Sequence, residues 1–340
     1  MIHTIKRKNY KMNIHSSFTS AYAYHLSDVY EFPQFCPSPR GKLIKEQLGV
    51  QFAISDPRDR LPFIKDRNYN LSYFAAEIIW YLSGLNSLQW IAPYAPFWTK
   101  ISDDGSTCNS AYGHRIFNPI SSIQSQWDWC KQELTRDPDS RRAYIHIRTA
   151  EDSFNATLDV PCTIGIQFLI REKALYMITT MRSCDMILGL GNDIPAFTMF
   201  HELMAFELGL ELGDYIHNAG SMHIYESDFK KVENIISNTT KQKALKTHRM
   251  LPVTSLFPRN VILSREAQVR STALSGTSDA ASMVLSHLSD ATNELDSFWS
   301  DVFTLLTIFW LKKLSAVNET KTAIANLKWH GWTETGDFKL

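Results

Sequence analysis

A chain of 340 residues can form one large domain or two modest ones, and 44% hydrophobic residues are enough to bury a substantial core. Lysine plus arginine and aspartate plus glutamate each number 35, so no overall field draws the chain to nucleic acid or to an anionic membrane. Five cysteines without a CxxC pair fit neither a disulfide framework nor a zinc site, and they predict a reducing, cytoplasmic compartment.

The N-terminal half contains one strongly periodic segment. Residues 1–13 are basic but no apolar core follows them, so we expect no signal peptide. Residues 71–91 place apolar side chains at helical spacing and predict a helix, with Gly84 as its stop. The polar, turn-rich residues 102–113 predict a loop.

The middle of the chain alternates between strand and helix patterns. Residues 141–150 and 163–172 alternate like strands, and 174–183 follows after a short charged turn, as the second strand of a hairpin would. Residues 196–210 have helical periodicity, and 213–228 has the pattern of a strand with polar side chains. Because strands and helices alternate without a regular βαβ order, the sequence predicts an α+β fold and not a doubly wound sheet.

The C-terminal part is less regular. Residues 264–283 are rich in serine and alanine and form a candidate linker, whereas 284–327 predict amphipathic helices that pack on the main body. The longest apolar run, residues 302–311, is too short to cross a bilayer, so we expect no transmembrane helix. We expect one domain over residues 1–340, with a divergent, mainly helical region at about 260–330.

Four short motifs carry the side chains that could do chemistry. Cys162 follows a proline at the mouth of a predicted strand, and taken alone it is most simply a small buried apolar residue. Residues 182–185, RSCD, supply an arginine, a hydroxyl and a carboxylate, and 188–193, LGLGND, form a glycine-rich bend. His223 and Tyr225 are two residues apart, so a strand projects them on one face.

In their order and spacing these motifs resemble the thymidylate synthase family over roughly residues 70–235. That family has a Pro-Cys nucleophile opening a strand, then R-S-x-D, then L-G-L followed three residues on by a base-reading residue, then H-I-Y. Further matching positions are Glu77, Trp80, Leu82 and Gly84 of ExxWxLxG, Tyr112 with Gly113, and Ser140 to Ala143. Arg40 in SPRG is a weaker match, and beyond about residue 255 we match nothing.

The resemblance implies a three-layer α+β fold in which a large twisted mixed sheet packs against its twin across a homodimer. It implies a pyrimidine nucleoside monophosphate as substrate and 5,10-methylenetetrahydrofolate as co-substrate, with no metal. Cys162 would attack C6 of the ring, which makes C5 nucleophilic toward a one-carbon electrophile. Glu77 would organise water and proton transfers around C5 and the exocyclic group.

The remaining site roles also follow from the resemblance. Arg182 would favour the Cys162 thiolate and hold the nucleotide phosphate, with Ser183 nearby. The other assignments are Arg40, Arg141 and Arg142 for the phosphate, the last two across the dimer interface, His223 and Tyr225 for the sugar 3′-hydroxyl, and Asp185 and Trp98 for the folate. Three of these assignments have structural alternatives. The arginine pair could form a solvated strand edge, His223 could be a structural histidine with its hydrogen bonds satisfied, and Trp98 could be a core tryptophan.

Asp193 occupies the position at which family members acting on uracil carry asparagine. An amide donates to O4 and accepts from N3–H of uracil, whereas cytosine presents a 4-amino donor and an unprotonated N3. A carboxylate accepts from that amino group, and by sharing a proton with N3 it makes C6 more electrophilic, which requires a raised pKa in a dry pocket. The same difference marks the deoxycytidylate hydroxymethylases of the family. The structural alternative is a turn or helix cap in the bend.

A second departure concerns the fate of the attached one-carbon unit. The sequence ends GWTETGDFKL without a tail of the synthase type, and Ala95 stands where those enzymes keep a tryptophan. We therefore expect water to reach the methylene and hydrate it to a hydroxymethyl group. Thr163 and Ser221 also depart from the family, which has histidine and aspartate at these positions.

The sequence thus predicts a cytidylate C5 hydroxymethyltransferase. It would convert dCMP, or less favourably CMP, with 5,10-methylenetetrahydrofolate and water to the 5-hydroxymethyl nucleotide and tetrahydrofolate. Two rivals stay open. A thymidylate synthase or dCMP methyltransferase would release dihydrofolate, and a non-catalytic nucleotide-binding homologue would have little need of the thiol.

Overall fold

A mixed β-sheet forms the centre of the molecule, which is known from a computed structural model that describes residues 12–120, 124–154, 156–240, 245 and 248–334. The strands are β1 (Asn13–His15), β2 (Ile44–Ile54), β3 (Pro119–Ile120), β4 (Gln124–Ser125), β5 (Tyr144–His146), β6 (Thr163–Arg171), β7 (Ala174–Met181), β8 (Cys184–Asp185) and β9 (Glu211–Tyr225). β3 and β4 pair with each other. The other seven form one sheet in the order β1-β2-β9-β7-β6-β5, with β8 beside β9.

The hairpin of β6 and β7 carries Cys162 at its open end. The two strands are antiparallel and are joined by Glu172 and Lys173, whose φ angles of 50° and 66° belong to a tight hairpin turn. Side chains of β7 alternate between buried and half-buried, so one face of the sheet packs on helices and the other faces outward. The predicted hairpin is confirmed, whereas the strand predicted over 141–150 is shorter and covers only Tyr144–His146.

Helices cover the inward face of the sheet and form the C-terminal part of the chain. They are α1 (Phe18–Glu31), α2 (Leu71–Leu82), α3 (Leu88–Ile91), α4 (Tyr112–Phe117), α5 (Gln126–Arg136), α6 (Leu190–Leu208), α7 (Phe229–Thr240), α8 (Arg259–Leu274), α9 (Ala280–Glu294), α10 (Ser297–Lys313), α11 (Val317–Ala325) and α12 (Gly331–Glu334). The α+β prediction with a large mixed sheet is confirmed. In the described parts of the chain, no helix is both long and apolar enough to cross a membrane.

Two helices bring site residues to the sheet. The amide N–H of Tyr73 donates to the side chain of Asn70, which caps the start of α2 (2.9 Å), and Gly84 ends the helix with a left-handed backbone at φ 68°. The helix predicted within 71–91 thus ends at Gly84 as expected, and the rest of that range adds the short helix α3. α6 begins at Leu190 and not at 196, because the bend of the LGLGND motif already forms its first turn.

The linker expected at 264–283 is wrong, since α8 and α9 occupy most of these residues. The buried residues of α8 recur every three or four positions, as a helix requires, although the segment is rich in small and polar residues. They are Ile262, Glu266, Val269 and Ala273. α10 packs against α2, where the hydroxyl of Ser72 donates to the carbonyl of Leu305 (3.1 Å). A single domain over the whole chain stays a prediction.

Candidate active site

Cys162 stands immediately before β6, where Arg182 meets it from the end of β7. The Arg182 amide donates to the Cys162 carbonyl (2.9 Å), and its guanidinium donates to the carbonyls of Pro161 and Val160 (both 3.1 Å). One guanidinium nitrogen lies 3.8 Å from the Cys162 sulfur. Because three backbone bonds fix the arginine, its charge is held near the thiol, and its role in favouring the thiolate stays a prediction.

The thiol environment favours the protonated form. Burial raises the pKa of Cys162, and it is further raised by the carboxyls of Asp193 and Asp159, while Arg182 and Arg40 lower it. Arg182 thus acts in the expected direction, but burial outweighs it. A cysteine that serves as a nucleophile must lose its proton before it can attack, so the nucleophilic role of Cys162 stays a prediction.

Glu77 projects from α2 and is held by two tyrosines. Its side chain accepts hydrogen bonds from the hydroxyls of Tyr73 (2.6 Å) and Tyr81 (3.2 Å), four residues before and after it on the same helix face. Burial raises the pKa of Glu77 to about 7, although both hydrogen bonds act to lower it. A carboxyl that titrates near neutrality suits general acid–base catalysis. The motif comparison missed both tyrosines, whose signal is only their i−4 and i+4 spacing from Glu77.

Asp193 lies in the first turn of α6, close to Glu77 and Asp185. Its amide donates to the carbonyl of Gly189 (2.9 Å), and a Cβ built on that glycine would lie 3.3 Å from the Asp193 carboxyl. Gly189 is itself the N-cap of α6, so Asp193 does not cap this helix as the structural alternative supposed. Burial raises the pKa of Asp193 well above its usual value, and Glu77 and Asp185 raise it further.

His223, Tyr225 and Asp185 meet where β8 pairs with β9. Asp185 is the register partner of His223, and the rings of His223 and Tyr225 are nearly perpendicular with centroids 5.1 Å apart. Burial lowers the pKa of His223 against the opposing effect of Asp185, so the imidazole is neutral near pH 7. Burial likewise raises the pKa of Asp185. Ser221, one of the departures from the family, donates to Glu46 and lies 3.4 Å from the Nδ1 atom of His223.

The predicted phosphate-binding arginines separate into two groups. Arg40 lies in a short turn, exposed and with φ 52°, and its charge acts on both Cys162 and His223. Arg141 and Arg142 are exposed just before β5, and Arg142 lines a cavity of about 770 Å³ beside α5. β5 runs antiparallel to β6 with Tyr144 opposite Gln167, so the two arginines before β5 lie toward the end of β6 that is far from Cys162, and within one chain the structure does not bring them to the thiol.

The two remaining predicted residues are Trp98, which lies beside α2, and Ser183, which lies near the thiol. Trp98 is only 6% exposed and packs edge-on against Trp80, one turn beyond Glu77, with ring centroids 5.0 Å apart. Its position is that of a core tryptophan, which a folate could reach only along a small exposed part of the ring. Ser183 is half-buried between β7 and β8, next to Arg182. The roles of both residues stay predictions.

One group of side chains could hold a cation. Among the described residues, His248, His330 and Glu334 bring one potential ligand atom each within 4.8 Å of one another. All three lie outside the set of predicted catalytic and binding residues.

Comparisons with known proteins agree with the motifs. The model of the family described as thymidylate synthase matches residues 21–257. A deoxyuridylate hydroxymethyltransferase of Bacillus phage SP01 is 31% identical over 56% of this chain and 53% of its own length. One of Delftia phage PhiW-14 is 32% identical over 55% of each chain, and the thymidylate synthase of Fusobacterium nucleatum is 27% identical over 64% of this chain and 80% of its own. The chain spans about half the length of the two phage relatives.

Proposed function

The chain belongs to the thymidylate synthase family, and from that premise we propose that it transfers a one-carbon unit to C5 of a pyrimidine nucleoside monophosphate. The family uses 5,10-methylenetetrahydrofolate as co-substrate, and we propose the same donor here. The sulfur of Cys162 would bond to C6, after which C5 attacks the methylene as the first of its two bonds to folate nitrogens breaks. Loss of the C5 proton to a base and breakage of the second carbon–nitrogen bond would then release tetrahydrofolate and leave an exocyclic methylene on C5. The five free cysteines support a reducing, cytoplasmic location.

We propose cytidylate as the nucleotide, with dCMP favoured over CMP, and the observation that carries this is the buried carboxyl of Asp193 with its raised pKa. A carboxyl and cytosine can share one proton between the carboxyl oxygen and N3 while the second oxygen accepts from the 4-amino group. Either position of that proton leaves two complementary hydrogen bonds. Uracil offers O4 and N3–H, which pair with the protonated acid but not with an ionised carboxyl, so uracil fits one protonation state of Asp193 and cytosine fits both.

We further propose that water, and not a hydride, completes the reaction. Glu77, with a pKa of about 7 and two tyrosine partners, is suited to remove a proton from water as it adds to the exocyclic methylene. Expulsion of the Cys162 sulfur then restores the C5–C6 double bond and leaves a 5-hydroxymethyl group. Ala95 at the position of the synthase tryptophan supports the access of water. Both phage relatives are also named as hydroxymethyltransferases.

A second candidate is hydroxymethylation of deoxyuridylate, which the names of the two phage relatives favour. Purified protein incubated with dCMP, CMP or dUMP and the folate distinguishes the candidates when product masses are measured. We expect a gain of a hydroxymethyl group on a cytidylate and no dihydrofolate absorbance. A hydroxymethyl group on dUMP alone would establish the second candidate. A plain methyl group with dihydrofolate would establish a synthase or methyltransferase.

The rival without catalysis is tested by Cys162→Ser. A nucleotide-binding homologue keeps its function without the thiol, whereas the proposed enzyme loses roughly a thousandfold or more of its activity, as expected when a covalent nucleophile is removed. The far-ultraviolet circular dichroism spectrum should not change. Cys36→Ser is the matched control, because that thiol is exposed and outside the site.

A further inference from the structure

A buried polar cluster joins α8 and α10 to the segment that follows α3. The hydroxyl of Tyr94 donates to Glu266 of α8 (2.7 Å) and accepts from the indole N–H of Trp310 in α10 (2.9 Å). Arg270, one turn after Glu266, donates to the same carboxylate oxygen (2.9 Å). Glu266 is 2% exposed, so its charge is compensated inside the cluster and not by solvent.

The guanidinium of Arg270 also holds the backbone of α3. Its two terminal nitrogens donate to the carbonyls of Gln89 (2.9 Å) and Trp90 (3.0 Å). It lies within 6 Å of the ring centroids of Trp90, Tyr94 and Trp310. One planar cation therefore connects a buried carboxylate, two backbone carbonyls and three aromatic rings, which needs the fork geometry of arginine.

The segment that this cluster holds leads directly to the predicted folate wall. Tyr94 is followed by Ala95, whose carbonyl accepts from the amide of Trp98 (3.2 Å). Trp98 in turn packs on Trp80 of the helix that carries Glu77. Displacement of Tyr94 would therefore move the backbone that presents Ala95 and Trp98 to the acid–base helix.

We propose that the Glu266–Arg270 pair is a positioning device with which the C-terminal helices hold residues 88–98 against α2 and so fix the wall of the one-carbon donor site. Both residues lie beyond residues 21–257, which match the family, so the device belongs to the C-terminal helices of this chain. The contacts alone support the claim that the pair holds residues 88–98. Its effect on the folate rests on the proposed function.

Hydrogen exchange tests whether the Glu266–Arg270 pair holds residues 88–98, and it needs no assay of activity. In Arg270→Met we expect the amides of residues 88–98 to exchange about tenfold faster or more, because the segment can then open locally without breaking the hydrogen bonds of Arg270. Arg265→Met is the matched control, because Arg265 lies on the same helix and pairs with the partly exposed Glu294. Exchange of 88–98 that is equal in the two variants would overturn the proposal. The double variant Glu266→Gln/Arg270→Met avoids a lone buried charge and should show the same acceleration if Arg270→Met fails to fold.

Steady-state kinetics tests the consequence for the folate. In the Arg270→Met enzyme the KM for 5,10-methylenetetrahydrofolate should rise about fivefold or more, with the KM for the nucleotide within about twofold of wild type. Faster exchange with an unchanged folate KM would overturn the positioning role. A wild-type protein that turns over none of the three nucleotides would refute the proposed function, and hydrogen exchange would still decide whether the pair holds the segment.

Discussion

At the residue scale, the identity of residue 193 should determine which base is accepted. Under the proposed function, Asp193→Asn would remove the proton that the buried carboxyl shares with N3 of cytosine and substitute an amide that matches uracil. We expect kcat/KM for dCMP to fall about a hundredfold or more, with a gain for dUMP, because an unpaired buried polar group discriminates strongly. Competition between the two nucleotides, followed by mass spectrometry of the products, measures the ratio. Asp214→Asn on β9 is the control and should leave that ratio unchanged.

Tyr73 should set the pH at which Glu77 becomes a base. The Tyr73 hydroxyl bonds Glu77 at 2.6 Å and favours its ionised form, so Tyr73→Phe raises the pKa of Glu77 further above about 7. If ionised Glu77 activates water, the rising limb of the pH profile of kcat moves up by about one unit, and the rate at pH 7 falls about fivefold. Tyr24→Phe, an exposed tyrosine of α1, is the control. A limb that stays in place, or moves down, would contradict this role.

The predictable part of the site is the part that its chemistry fixes. Cys162, Arg182, Asp193 and Glu77 could be proposed from motifs, because the proposed reaction would need those groups at those places in the chain, and their roles stay predictions. The tyrosines beside Glu77 could not, since any aromatic at helical spacing is more often core than partner to a carboxyl. The net rise in the pKa of the Cys162 thiol could not be predicted from the sequence either, because burial depends on tertiary packing.

At the element scale, the closeness of α2 and α4 depends on a glycine. A Cβ on Gly113 would lie 1.9 Å from the carbonyl oxygen of Tyr81, so Gly113→Ala forces the backbones of the two helices apart. We expect a loss of about 2–3 kcal/mol in the free energy of unfolding, typical of overpacking, measured by urea denaturation. Gly276→Ala is the control. At φ 73° with open space around it, it should lose only about 1 kcal/mol. Equal losses in both variants would show that α4 can move away at little cost.

Elements were predictable where one periodicity dominated. The β6–β7 hairpin has strict alternation around a charged turn, and α2 has an apolar stripe that Gly84 ends, so both could be located from sequence. α8 could not, because alanine, serine and arginine at its surface obscure the buried period of Ile262, Glu266 and Val269. The start of α6 was missed because the glycine-rich sequence LGLGND predicts a bend, although its last residues form the first turn of the helix.

At the scale of the whole molecule, the outward face of the sheet is suited to a second copy of the chain. Gln167, Ile178 and Ile216 are register neighbours across β6, β7 and β9, and each is half-buried in the single chain. Ile164, on β6, is also exposed. The side chain of Gln167 donates to the carbonyl of Arg141 (3.0 Å), which places the exposed arginine pair at the border of this face. The homodimer through the sheet that the family resemblance implies would therefore carry both arginines to the interface.

Complementation between two inactive variants tests whether those arginines serve the partner's site. The pair cannot be assigned to the Cys162 of its own chain, so each site of a dimer would combine one chain's thiol with the partner's arginines. Cys162→Ser and the double variant Arg141→Ala/Arg142→Ala should each be inactive alone. When they are unfolded and refolded together in equal amounts, about half of the dimers are mixed and each has one complete site, so activity should recover to about a quarter of wild type. Mixing without refolding is the control, because recovery there would require exchange of subunits between intact dimers. Absence of recovery, with mixed dimers demonstrated by native mass spectrometry, would show that the arginines act within their own chain or away from the site.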